Sequence, residues 1–494
     1  METKRRKVQY LVTFYVSLGF VTLGMSSAWP TPVLVKLLNK ETKVTITEGE
    51  VSWMLAMNPP GFIVGSFASR FLCDGMGRRP NILISAVPIA IGTIIVLTAT
   101  SACWLYVSTF MWSCGTGIVC TVANIYLAEI VDKDIRGTTG VCTRFAFNFG
   151  NLIVIAIGPF ISYEVLNGIM CVPLILYFVL SWRIPESPFY YMKEGKVDSA
   201  RRAIIALRGH VDPSACEEEL NSIQSQVKKE MSRSSTAWEL FSGRRYRRAI
   251  IIAAGLKLTQ IISGGVAIKQ YFGTIMKEAH RGKDQEQEQG RIVFILFGAV
   301  IFIVGIMSSA LVDRLGRRPL LIWSYVGTGL SLVIVGVYFF VINVVLTNGH
   351  YIAPGFVYIP LIGILLSNII STMGFNSLVS VIPAEIFPLN IRLVAMASLN
   401  IFGGILGFSL AKGYQLVKDL GGLHTVFWIF SVVSFVGAVF SYFLIPETKG
   451  KDLAEIQKEL QGSCYEVDEV KIDKGVTNDG TELVELKPKD VEAK

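Results

Sequence analysis

The chain alternates long apolar runs with short polar ones, and this rhythm sets its architecture. Apolar blocks lie at 8–28, 51–72, 81–100, 105–128, 139–162, 169–182, 249–276, 292–311, 320–345, 356–384, 394–417 and 425–444. Most reach the ~20 residues a helix needs to cross a bilayer core. Lipid leaves a backbone no hydrogen-bond partner but itself, so these blocks predict spanning helices and not barrel strands. The block at 169–182 is short and is expected to begin near Val165. The one at 394–417 is interrupted by Gly403, Gly404, Gly407, Gly413 and Lys412. Composition agrees: 52% of the 494 residues are hydrophobic and 17% charged, against about 25% charged in a soluble domain. The chain reads as an all-α polytopic membrane protein of about twelve spans.

Charge is distributed unevenly between the blocks. "KRRK" at 4–7 precedes the first block, which is too long for a removed leader and is followed by no cleavage signal. A basic flank predicts a cytoplasmic N-terminus. Counting spans from it puts Arg78 and Arg79, Lys133 and Arg136, Arg314, Arg317 and Arg318, and Arg392 on the same side, with both termini. The net charge of +8 is therefore a signal of topology, and no basic groove points to nucleic acid. The eight cysteines lack CxxC spacing and read as small hydrophobes. His210, His280, His350 and His424 are dispersed. With no nucleophile–base pair, nucleotide-binding loop or metal-ligand spacing, neither an enzyme, a cofactor nor an ATP-driven pump is expected.

Three motifs occur twice, in the same order. "DGMGRRP" begins at Asp74 and "DRLGRRP" at Asp313, each after the second span of a six-span set. Glu129 precedes Arg136 as Glu385 precedes Arg392, after the fourth spans. "PESP" at 185–188 and "PETKG" at 446–450 close the sixth and twelfth. This is the signature of two six-helix halves of parallel topology. The division is 1–184, a first half; 185–248, a cytoplasmic helical linker; 249–446, a second half; and 447–494, a cytoplasmic tail, polar and expected to be disordered. In the linker, Val197, Ala200, Ile204 and Leu207 share a helical face, and Leu220, Ile223 and Val227 mark a second helix.

The repeated charges suggest a gate. Glu129 is expected to bond Arg78 or Arg79, and Arg136 to reach Asp74, with Asp313, Arg314, Arg317, Arg318, Glu385 and Arg392 as counterparts. Such a cluster would close the cytoplasmic side and break when that side opens. Arg70 stands alone and reads as a snorkelling side chain.

These stretches, with "YLAEIVDKDIRGTTG", "SGGVAI" and "AEIFPLNIR", resemble the sugar porter family of the major facilitator superfamily, most of all its insect facilitated trehalose transporter-like members. The resemblance runs from about Val8 to Leu460. It implies the twelve-helix major facilitator fold, alternating access, and a solute site between the halves. It also implies a plasma-membrane monomer whose partners are the bilayer and a sugar.

At that site the chain departs from the family. The family's QQLSGINAVxYY aligns with "QIISGGVAIKQY", which keeps Gln260, replaces the second glutamine with Ile261 and the asparagine with Val266, and introduces Lys269 and Gln270. Arg144 stands for the span-five glutamine, Asn376 and Ser377 for the Gly-Pro pair of span ten, Ser380 for its tryptophan, and Gly403 and Gly404 for the span-eleven Asn-Trp pair. Gln260, Arg144, Lys269, Gln270, Asn376, Ser380 and Asn148 are the expected solute contacts. Two alternatives are a carrier of a non-sugar solute, such as an anion, and a transport-inactive sensor. An acid in the first span often marks proton coupling in the family, and this span has none, which favours facilitated diffusion.

Overall fold

The computed structural model describes residues 7–132, 135–208, 213–232, 246–279, 287–314, 316–345, 356, 358–387 and 389–447. The side chains of Asp74, Arg136, Asp313, Arg314, Ser380 and Arg392, and the tail beyond 447, lie outside what it describes.

In the first half, α1 (Lys7–Ala28) is prolonged by the short α2 (Pro30–Leu38). The second crossing is α3 (Glu48–Ala56) with α4 (Asn58–Gly75). Then follow α5 (Arg78–Thr98), α6 (Ala102–Ile130), α7 (Arg136–Ile157) and α8 (Tyr163–Ser181). The linker folds as α9 (Pro188–Lys193), α10 (Val197–Arg208) and α11 (Pro213–Ser232). The second half opens with a three-piece crossing, α12 (Arg247–Ile262), α13 (Gly265–Gln270) and α14 (Phe272–Ala279). After α15 (Gln287–Arg314) and α16 (Arg317–Phe340) comes the two-piece α17 (Tyr358–Met373) and α18 (Phe375–Ile386). The last run, α19 (Leu389–Leu444), is broken at Gly422, whose φ is 77°.

Among the described residues nine stretches are long and apolar enough to cross a membrane. The run 394–444 holds two crossings, and the 48–75 and 287–314 segments add two less apolar ones, consistent with twelve. The end where α1 begins and α19 finishes is called the terminal end below, and the opposite one the far end.

Small residues let these helices touch, because lipid supplies no hydrophobic drive between them. A Cβ on Gly65 would come within 1.9 Å of the Cys114 carbonyl, and one on Gly24 within 2.0 Å of that of Phe147. These approaches lock α4 to α6 and α1 to α7. In the linker, Ala200, Ile204, Leu220 and Ile223 are buried together with Met192 and Cys216. Leu207 joins the core of the first half. Val197 departs from the expected face and is exposed, because it is the first residue of its helix.

Candidate functional site

The site forms where two helices of the second half are interrupted. Ser263 ends α12, and Gly264 has φ 81°, the left-handed region that favours glycine. Gly374 separates α17 from α18, so close to α16 that a Cβ would meet that of Ser324 at 2.0 Å. The interruptions are tied together. Gln260 Nε2 donates to Asn376 Oδ1 at 3.2 Å, the Thr259 and Tyr325 hydroxyls are 2.7 Å apart, and Tyr325 stacks on Phe375 at 4.3 Å. Gln260 Oε1 is buried without a partner, an acceptor left open. Discontinuous spans at mid-membrane are where carriers expose polar groups to a solute.

Gly264 also lies against Phe430, whose ring a Cβ would approach to 2.2 Å. Gly264→Ala is therefore expected to destabilise the protein by about 2–4 kcal/mol and abolish transport. Melting of purified protein, followed by tryptophan fluorescence, checks it; an unchanged midpoint contradicts it.

Of the other expected contacts, Lys269 and Gln270 end α13, beyond the break. Arg144 and Asn148 lie a turn apart on α7. Asn148 belongs to the stripe that meets α15, its amide against Gly305, and Leu152 and Ile155 meet Gly298 farther along. Arg144 is exposed, one turn nearer the terminal end.

At the terminal end each half carries the same clamp. Arg78 grips Glu129 through Nε at 3.1 Å and Nη2 at 2.8 Å, and Ser187 Oγ donates to the same carboxylate. Glu186 accepts from the backbone amides of Arg78 (3.0 Å) and Arg79 (3.1 Å) at the start of α5, where a helix dipole favours an anion. In the second half Arg317 Nη2 donates to Glu385 at 3.1 Å, and Glu447 accepts from the amides of Arg317 (2.9 Å) and Arg318 (3.0 Å). Arg78, not Arg79, is the partner of Glu129; the Arg79 guanidinium bonds the Trp182 carbonyl at 2.7 Å. Glu186 and Glu447 were missing from the expected set although both sit in a repeated motif.

The halves meet at the far end and mid-depth. Thr31 Oγ1 donates to the Lys269 carbonyl at 2.9 Å, and Lys277 bonds Asn39. Glu48 accepts from Gln415 at 3.0 Å and Lys418 at 3.1 Å. Lys412 donates to Ser52 at 3.0 Å and lies 3.7 Å over the Trp53 ring. Deeper, Gly404 meets Ile63, and Phe145 crosses Phe302 edge-on at 5.3 Å. Among the described residues no hydrogen bond or ring contact joins the halves nearer the terminal end than this. The clamps Arg78–Glu129 and Arg317–Glu385 are formed in this structure, each within one half.

The far-end latch titrates in two senses. Burial raises the Glu48 carboxyl, but Lys418 and Gln415 outweigh it and hold the group below its ordinary value. Its support for closure is present above the ordinary carboxylate range and lost only as pH falls through the lowered value. Burial raises Glu278, more than nearby Lys418 lowers it, so its protonation favours closure and that contribution fades as pH rises through the raised value. Lys418→Ala is expected to weaken closure by up to about 1 kcal/mol, the bridge being partly exposed. Spin labels at Lys43 and Leu420 should then show a larger share of long distances at pH 7; an unchanged distribution contradicts the latch.

Two repeated helical bodies, touching at one end, with polar interruptions in two spans of the second, are the build of a multi-pass membrane transporter. Residues 18–460 match the family model for the sugar (and other) transporters, and the chain belongs to that family. It is 30% identical to the facilitated trehalose transporter Tret1 of Polypedilum vanderplanki, over 92% of this chain and 88% of that one. It is 28% identical to Tret1 of Bombyx mori, over 93% and 88%. Against Tret1 of Drosophila mojavensis (29% identity, 92% of this chain) it spans about half the relative's length, 51%. The inward-open structure of the xylose transporter XylE from E. coli superposes with a TM-score of 0.74 at 19% identity, covering 92% of this chain and 100% of that one. The proton:xylose symporter XylE bound to 6-bromo-6-deoxy-D-glucose gives 0.67 at 20%, covering 93% and 100%. These structures are alike in fold.

Proposed function

We propose that the chain is a facilitative sugar carrier of the trehalose or hexose type, working by alternating access. The observation that carries this is the Gln260–Asn376 pair, which offers a donor and an open acceptor beside two interrupted spans. Hydroxyl-rich solutes need both. The family and the Tret1 relatives favour a sugar over the alternatives of a non-sugar solute or an inactive sensor. No aspartate or glutamate occurs in the twelve apolar blocks, so no mid-membrane carboxylate is available to carry a proton with the solute.

In this reading 1–184 and 249–446 rock as bodies, with 185–248 and 447–494 on the cytoplasmic side. The clamps at Arg78 and Arg317 keep each half rigid. Asp74, Arg136, Asp313, Arg314, Arg318 and Arg392 complete the gate. Gln260, Asn376, Asn148, Ser380, Arg144, Lys269 and Gln270 serve the solute. The basic N-terminal flank supports cytoplasmic termini, and the resemblance supports a plasma-membrane monomer. With the termini inside, the far-end contacts support an inward-facing reading of this state. Uptake of labelled trehalose and hexoses into cells lacking their own hexose carriers tests the reading. Saturable uptake that survives a protonophore is expected; uptake abolished by it would contradict the facilitative mode.

A further inference from the structure

The twelve apolar blocks hold five basic residues, Arg70, Arg144, Lys257, Lys269 and Lys412, and no acidic one. Charge at membrane depth is costly and marks a partner or a solute path. Lys412 has partners in Trp53 and Ser52. Lys257, which no motif singles out, has none: among the described residues its ammonium meets neither a carboxylate nor a hydrogen-bond acceptor. Counted from Arg247 at about 1.5 Å per residue it lies roughly 15 Å deep, the middle of a ~30 Å core. The side chain is half-buried.

Its neighbour Gly403 stands one residue from a contact between the halves. A Cβ on Gly403 would come within 2.5 Å of Lys257 Cε and 3.5 Å of its Nζ, so the glycine makes room for the lysine. The next residue, Gly404, faces Ile63 and Pro59 of the other half. One turn along α12, Gln260 bonds Asn376, the second residue of α18 and therefore at the positive end of that helix's dipole. Beyond the break, Lys269 is a second half-buried ammonium with no side-chain partner among the described residues. A neutral polyol is served by groups that both donate and accept. An ammonium only donates, and here its charge is offset by no acid in any span.

We propose that Lys257 binds the solute and that the carried sugar bears an anionic group, a carboxylate or a phosphate, which pairs with it. This rests on the sugar-carrier reading above. Gln260 and Asn376 hold hydroxyls, Lys257 holds the anion, and Lys269 stands on the path toward the far end. Each cycle with a monoanionic sugar then moves one negative charge, so uptake follows membrane potential.

The full-length protein in phosphatidylcholine vesicles is supplied with labelled glucuronate, glucose 6-phosphate, glucose and trehalose. One or both anionic sugars should enter at least about tenfold faster than glucose at limiting concentration, the worth of one charge-assisted hydrogen bond, and the faster of the two identifies the anion. An inside-positive potential should speed the anionic sugar only. Lys257→Gln should lower the anionic-to-neutral flux ratio by about tenfold, and Lys257→Arg should keep it. In the unmodified protein, glucose uptake that neither anionic sugar inhibits overturns the proposal and leaves sugar transport standing. Lys257→Gln with an unchanged flux ratio overturns it too. If none of the four sugars enters, the sugar-carrier reading itself fails and the proposal with it.

Discussion

Arg78→Ala is expected to cost the first half about 3–5 kcal/mol, the penalty for removing one partner of a largely buried ion pair. The Glu129 carboxylate is only 12% exposed and would lose all three bonds it accepts from that guanidinium. The Arg78 side chain is itself 11% exposed and packs over the Tyr190 ring at 5.5 Å, so the alanine also removes one of the contacts that tie the start of α5 to the linker, leaving the Glu186 bonds to its backbone. The expected result is a clearly lower melting temperature in detergent and weak transport of every solute alike. Arg78→Ala combined with Glu129→Gln should recover part of the loss, because the buried negative charge goes with its partner. A single variant with an unshifted melting temperature, or a double variant no better than the single, would contradict the clamp.

Gln260→Ala is expected to act on the solute instead. Its amide supplies a donor now shared with Asn376 and a buried acceptor with no protein partner. At about 1 kcal/mol for each neutral hydrogen bond, losing both should raise the half-saturation concentration by roughly tenfold or more. The melting temperature should fall by no more than the loss of the one bond to Asn376 allows, since no apolar core is removed. Unchanged saturation would remove Gln260 from the site.

How much of this was legible follows from whether the chain writes a feature as a pattern. Spans and halves were, because apolar length and repeated motifs are local and periodic. The Arg78–Glu129 pairing was half legible: the motif offered two arginines, and only the geometry of α5 against α6 selects one. Glu186 and Glu447 stood in plain view within PESP and PETKG, but capping a distant helix depends on backbone amides, which no residue pattern announces. The Glu48–Lys418 latch joins residues 370 positions apart with no motif around either. Lys257 lies next to a family motif but outside it, and its meaning depends on Gly403, from a helix more than a hundred residues away. Interruptions at Gly264 and Gly374 are hard to read from glycine alone, because spans tolerate glycine where a neighbouring helix approaches closely.

The central claim is that one solute site is exposed to the two sides in turn, and counterflow tests it most directly. Vesicles containing the protein are loaded with unlabelled sugar, whichever of the neutral and anionic ones enters fastest, and diluted into a trace of the same sugar labelled. Alternating access predicts that the label accumulates transiently above its outside concentration, then leaks away, and that empty vesicles show no overshoot. Label that only equilibrates, at the same rate with or without preloading, would contradict a carrier and with it the account given for this chain.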